Sequence, residues 1–262
     1  MRRLLPWLGL ILLALSFAWL VYSPSSSPRE QVLAPSRTPS ARATELPATV
    51  VVLDPGHGGE DSGAICGAVM EKDLTLDVAK RASRLLRAAG FRTVMTRETD
   101  HYVSLEERAS LANRNDDSLF ISIHFNDNKT SSTAGIETYF SPGQLPQRWL
   151  FSWLPFLQQS ASNPLTAKSE QLASFLQTAL LGQTGAVNRG IKTERFYVIA
   201  NVRHPAVLVE GGFITNPEEL ASLRNPAYRE KLAAAITKAV EDFRAAARQG
   251  GTTLALADAH PE

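Results

Sequence analysis

Val50-Val51-Val52-Leu53-Asp54-Pro55-Gly56-His57-Gly58-Gly59 decides how this chain is read. The apolar, β-branched run has the length of a strand and breaks abruptly into proline and glycine, with one histidine at the break. A buried strand whose carboxyl end presents a side chain to a crevice reads this way, and in open α/β sheets that crevice is the usual ligand position. Pro55 fixes one backbone angle, while Gly56, Gly58 and Gly59 permit conformations and close approaches that a β-carbon blocks. A lone histidine after a strand is more often packed or solvated than a ligand, so the weight falls on what lies further along.

Downstream, strands alternate with helices. Glu71-Lys72-Asp73 leads into a helical stretch in which Leu74, Val78, Ala82, Leu85, Leu86 and Ala89 keep a period near 3.6, and Gly90 stands at the expected C-cap. Phe91 to Thr96 reads as a strand. Ser104 and Glu107 form a capping-box pattern for a helix through Leu105, Ala109 and Ala112. Leu119 to His124 is a strand that again ends on histidine, and Ile136 to Phe140 is another. An irregular region from Gln144 to Ala167 crowds Trp149, Phe151, Trp153, Leu154, Phe156 and Leu157 together. Ser169 opens a helical pattern through Leu172, Leu176 and Leu180; Ala206 to Glu210 is a continuous apolar strand ending on a carboxylate; a last helix runs from about Ala227 to Ala247. This order predicts an α/β fold, a central, mostly parallel, twisted sheet flanked by helices on both faces, in a single catalytic domain over residues 47–247.

The ends read differently. Arg2 and Arg3 precede an apolar run from Leu4 to Tyr22. Residues 1–22 therefore read as a signal peptide or a membrane anchor, with Ser16-Phe17-Ala18 as a candidate cut and the length of the run favouring an uncleaved anchor. Either way the arginines stay cytoplasmic and the remainder is exported, which predicts the cell envelope as its location. Residues 23–46, rich in Ser, Pro, Arg and Ala, are expected to form a flexible linker, and 248–262 a disordered tail. The 262 residues carry a formal net charge of +1, so no basic nucleic-acid footprint is present. Cys66 is the single cysteine, which rules out an intramolecular disulfide. The chain is expected to be a monomer.

Of five histidines, His57 and His124 stand just beyond strands that read as buried, and Glu210 stands at the end of a third. Strands lying side by side would bring these three side chains to one sheet edge, with Glu71 over the same edge. Two imidazoles and a carboxylate form the ligand set of one catalytic zinc class, which keeps a fourth position open for water. A carboxylate outside the set can take that water's proton. On pattern alone, Glu71 and Glu210 are interchangeable between ligand and base.

Several motifs, taken in order, resemble the zinc-dependent N-acetylmuramoyl-L-alanine amidases. They are Asp54-Pro55-Gly56-His57-Gly58-Gly59, Glu71-Lys72-Asp73, Ser122-Ile123-His124-Phe125-Asn126, Arg189-Gly190-Ile191-Lys192, and Val209-Glu210-Gly211-Gly212-Phe213-Ile214-Thr215-Asn216. Thr96-Arg97 with Asp100, and Leu105 to Arg108, are similar to that family's intervening pattern. The resemblance runs from about Val50 to Phe243. It implies a peptidoglycan hydrolase that cuts the amide between N-acetylmuramic acid and L-alanine of the stem peptide. It also implies one zinc ion on His57, Glu71 and His124, with Glu210 as general base and then acid. Asn126 and Arg189 are expected substrate or supporting contacts. Partners expected besides peptidoglycan are the membrane, if the N-terminus is uncleaved, and a regulatory protein of unknown identity.

His101 and His260 read as solvated, His204 as structural or surface, and Cys66 as a small packed residue. The stretch 144–157 is longer than the family's connection and reads as a groove flank, a membrane contact, a gate or a docked helix. Two competing functions stay open: a catalytically silent peptidoglycan-binding module, and a zinc peptidase acting on another peptide.

Overall fold

The computed structural model describes residues 49–144 and 164–257, all within one compact unit. The expected N-terminal segment and linker, most of the aromatic-rich stretch and His260 lie outside the described residues. Among the described residues no helix is long and apolar enough to cross a membrane.

Eight strands and six helices are described. In chain order they are β1 Val50–Pro55, β2 Ile65–Cys66, β3 Val69–Met70, α1 Glu71–Ala88, β4 Arg92–Met95, α2 Leu105–Asn113, β5 Ser118–Asn126, β6 Ile136–Phe140, α3 Pro164–Thr184, β7 Asn188–Thr193, α4 Tyr197–Ala200, β8 Ala206–Phe213, α5 Pro217–Arg224 and α6 Pro226–Ala257. The main sheet has six strands in the order β4-β1-β5-β8-β6-β7, and β2-β3 form a separate hairpin. β4, β1, β5 and β8 run parallel; β6 is antiparallel to β8 and parallel to β7. The mostly parallel α/β architecture expected from the sequence is therefore the observed one.

β1 shows why the sheet is sandwiched. Val51 and Leu53 join an apolar cluster with α1, α3 and α6, whereas Val50 and Val52 join a second cluster with α2 and α4. Side chains alternate across a strand, so a run apolar at every position needs cover on both faces. The capping box of α2 forms as expected, with Ser104 and Glu107 each bonding the other's backbone. Gly90, at φ +85, takes the left-handed turn that closes α1, which only glycine adopts without steric cost. Besides α5, three features were not expected from the sequence. β7 contains a glycine and two cations, and only its pairing with β6 makes it a strand. The hairpin β2-β3 is too short for a periodic signal, and α4 is four residues long. The last helix continues beyond Ala247 to Ala257, because alanine- and leucine-rich flanks carry it across Gly250-Gly251.

Candidate metal centre

The turn after β1 is held open by two buried arginines. Arg108 donates to the carbonyls of Pro55 and His57, both at 2.7 Å, and Arg97 donates to those of Pro55 at 3.1 Å and Gly56 at 2.8 Å. Arg108 is itself paired with buried Asp54 at 2.8 Å, and Asp54 also accepts from Thr96 and Ser122. Four turn-carbonyl bonds thus fix a backbone in which His57 has a φ of +59. A non-glycine residue there costs about 1–3 kcal/mol, sustained only where the surroundings over-determine it. Asp54 serves this scaffold and touches neither imidazole.

His57 Nδ1 lies 2.9 Å from Asp61 Oδ2, which fixes the ring and leaves Nε2 facing Glu71 Oε2 at 3.1 Å. Glu71 is the first residue of α1 and is almost fully buried. One of its oxygens accepts from the backbone N–H of Ala64 at 2.9 Å, the other from that of Phe125 at 3.0 Å. The second oxygen also meets His124 Nδ1 at 2.9 Å. Burial opposes ionisation of Glu71, but the hydrogen bonds from His124 and His57 outweigh it and hold the carboxyl far below the usual range. His57 is raised: burial works against its charge, and Glu71 and Asp61 more than compensate. The two imidazoles stand edge to face with centroids 4.9 Å apart.

The ligand atoms of His57, Glu71 and His124 all lie within 4.8 Å of one another, and they form a metal-capable group among the described residues. Two glycines make room for it. A β-carbon at Gly56 would lie 2.2 Å from His124 Cε1, and one at Gly63 would lie 2.5 Å from Glu71 Oε2.

Glu210 occupies the next strand. The β5–β8 register pairs it with His124, and the β8–β6 register pairs it with Glu137. Laterally paired residues share a sheet face, so His124, Glu210 and Glu137 form one row across three strands. Glu210 Oε2 is buried and accepts no hydrogen bond. Burial, and then the carboxylates of Glu71 and Glu137, push its pKa well above the ordinary value.

Asn126 and Arg189 both reach this row through Glu137, which the sequence reading did not single out. Asn126 Nδ2 donates to Glu137 Oε1 at 2.8 Å, and Arg189 Nε donates to Oε2 at 2.8 Å. Lys192 donates to the same Oε2, and Tyr139 to Oε1. Asp61 is the other overlooked residue; its signal is the spacing of four from His57. The residues read as bland behave so: Cys66 packs partly buried against the core, exposed His101 meets Thr99, and half-buried His204 stands just before β8, with its pKa lowered by burial and Arg203.

The N-acetylmuramoyl-L-alanine amidase family matches residues 51–242. The chain is 38% identical over 186 residues to the N-acetylmuramoyl-L-alanine amidase LytC of Bacillus subtilis, covering 71% of this chain and 34% of that one. With the amidase AmiA of Escherichia coli it shares 31% identity, over 74% of this chain and 75% of AmiA. The crystal structure of an N-acetylmuramoyl-L-alanine amidase from Clostridium difficile 630 superposes with a TM-score of 0.64 at 32% identity, covering 75% of this chain and 96% of that one.

Proposed function

The chain belongs to the N-acetylmuramoyl-L-alanine amidase family of peptidoglycan hydrolases, and from that premise we propose how its own residues cut the amide between N-acetylmuramic acid and L-alanine. The observation that carries the proposal is the row in which Glu210, whose buried Oε2 accepts no hydrogen bond, flanks the group formed by His57, Glu71 and His124.

These residues fit one Zn2+ ion. Two imidazoles and a carboxylate are a catalytic zinc donor set, His57 has its other nitrogen fixed by a carboxylate, and Gly56 and Gly63 leave the space that ligand side chains fill. When bound, the ion supplies Lewis-acid polarisation of the scissile carbonyl and acidifies a water. Glu210 removes a proton from the attacking water at Oε2 and delivers it to the alanine nitrogen as the C–N bond breaks. The water's OH stays on the lactyl carbonyl carbon, so atoms and protons balance. A carboxyl whose pKa is raised well above the ordinary carboxylate range suits both halves of that transfer. Asp61 orients His57, and the two backbone N–H groups on Glu71 keep its oxygens aimed at the imidazoles.

Peptidoglycan lies outside the cytoplasmic membrane, so the reaction is extracytoplasmic. Attachment through residues 1–22 and control by a regulatory protein complete the proposal. The experiment is mass spectrometry of muropeptides after digestion by the purified protein, with and without chelator and with Glu210→Gln. Free stem peptides beginning with L-alanine are expected only from the metal-loaded parent. Cleavage at another bond refutes the assigned bond, and retained turnover by Glu210→Gln refutes the assigned base.

A further inference from the structure

On the reading just given, we infer that Arg189 and Lys192, held by Glu137, form a carboxylate-recognition subsite for the peptide side of the substrate. Glu137 is buried, and its two oxygens carry four donors: Asn126, Tyr139, Arg189 and Lys192. A buried carboxylate that serves only to tie the edge strand needs one cation to balance its charge. Here there are two, so the cluster keeps a positive surplus.

That surplus is accessible. The side chains of Arg189 and Lys192 are 32% and 39% exposed, against 3% for Glu137. Among the described residues the Arg189 guanidinium meets Glu137 through Nε alone, which leaves its outer edge for a second carboxylate. Arg189 also lies over the Phe213 ring at 5.0 Å, and Lys192 over Tyr139 at 5.7 Å, so both cations are braced.

The direction follows from the register. β7 lies beyond β6, on the side of Glu210 away from His124. Strands are spaced about 4.8 Å apart and an extended peptide advances about 3.3 Å per residue. The cations therefore stand roughly 5–10 Å from the base, within reach of a carboxylate one or two residues past the scissile amide. The muramic acid side has no anion to offer, because its one carboxyl is consumed in the amide. An anion site in this row thus orients the leaving peptide towards β6 and β7 and the sugar away from them.

The test compares two muropeptides that differ only in whether the α-carboxyl of the second stem residue is free or amidated, using the zinc-loaded full chain. Wild type is expected to favour the free acid by about tenfold in kcat/KM, the scale of one charge-assisted hydrogen bond. In the double variant Arg189→Gln/Lys192→Gln that ratio should fall to near one. A wild-type ratio of one with both substrates turned over overturns the subsite and leaves the amidase reading intact; inactivity on both overturns the amidase reading and the subsite with it. An undiminished ratio in the double variant also overturns the subsite. The wild-type comparison decides the matter even if the double variant does not fold.

Discussion

Gly56→Ala tests the metal centre through a single methyl group. The new β-carbon would stand 2.2 Å from His124 Cε1, 2.4 Å from Nε2 and 2.7 Å from Nδ1. Ordinary carbon contacts begin near about 3.5 Å, so the ring must retreat by roughly 1 Å. Its retreat is opposed on two sides: Glu71 holds Nδ1 at 2.9 Å, and the His57 ring faces it with centroids 4.9 Å apart. The backbone is equally constrained, because Gly56 N–H bonds the Ile123 carbonyl at 3.0 Å and its own carbonyl accepts from Arg97. Overpacking of this kind costs about 1–3 kcal/mol in stability. Losing a supporting contact costs a metal site about 10–100-fold in affinity, and displacing a ligand costs at least the upper end, so zinc affinity should fall by about 100-fold or more. Dialysis against graded chelator, followed by metal analysis, reads this directly, with circular dichroism verifying the fold. A Gly56→Ala protein that is folded and binds zinc as tightly as the parent would refute the placement of His124 in the metal group.

Three further outcomes follow from other contacts. Asp61→Asn, which removes the charge that fixes His57, should weaken zinc binding about 10–100-fold in a competition titration; unchanged affinity would remove Asp61 from the site. In chelated protein, Glu210 binds its proton more tightly folded than unfolded, so its stabilising contribution is complete below the ordinary carboxylate range and is lost as pH rises above it. Glu210→Gln should therefore melt at the wild-type temperature at the acid end of the carboxylate range and increasingly above it as pH rises; a gap independent of pH contradicts a raised Glu210 pKa. Arg108→Met strands Asp54 without its cation and should cost about 3–5 kcal/mol, or roughly 6–20 °C in Tm. A shift below about 2 °C would show that the pair does not brace the turn.

The parts of this molecule legible in the sequence are those with a local signature. β1 and β5 declare themselves by runs of apolar residues, because both their faces are covered, and the two metal-capable histidines stand where those runs stop. The fold class follows from the same runs alternating with helical periods. Glu137 was not legible because it interrupts a short strand as any solvent-facing polar residue does; its burial comes only from lying opposite Glu210 in a non-consecutive strand. Asn126 and Arg189 were picked out, but their common partner was hidden for the same reason. Asp61 sat in a polar loop, where four-residue spacing from a histidine carries little weight until the turn geometry is known. α5 was not read from the sequence, although Asn216-Pro217 supplies its start: Asn216 caps the helix by accepting from the N–H groups of Glu218 and Glu219.

The strand order sets when this site comes into being. β5 and β6 are consecutive in the chain yet never touch edge to edge, for β8 slots between them and brings Glu210 with it. A ribosome that has released everything up to β7 has made every metal-capable residue but not the proton carrier, and the growing sheet still has a gap in its middle. Closing that gap needs a segment more than sixty residues downstream of β6, the kind of distant pairing that slows folding. Until it closes, two strand edges stand open for a wrong partner. If Glu210 carries the proton as proposed, hydrolytic competence and completion of the sheet are one event, and a product truncated before Ala206 is expected to be inert and to expose those two edges.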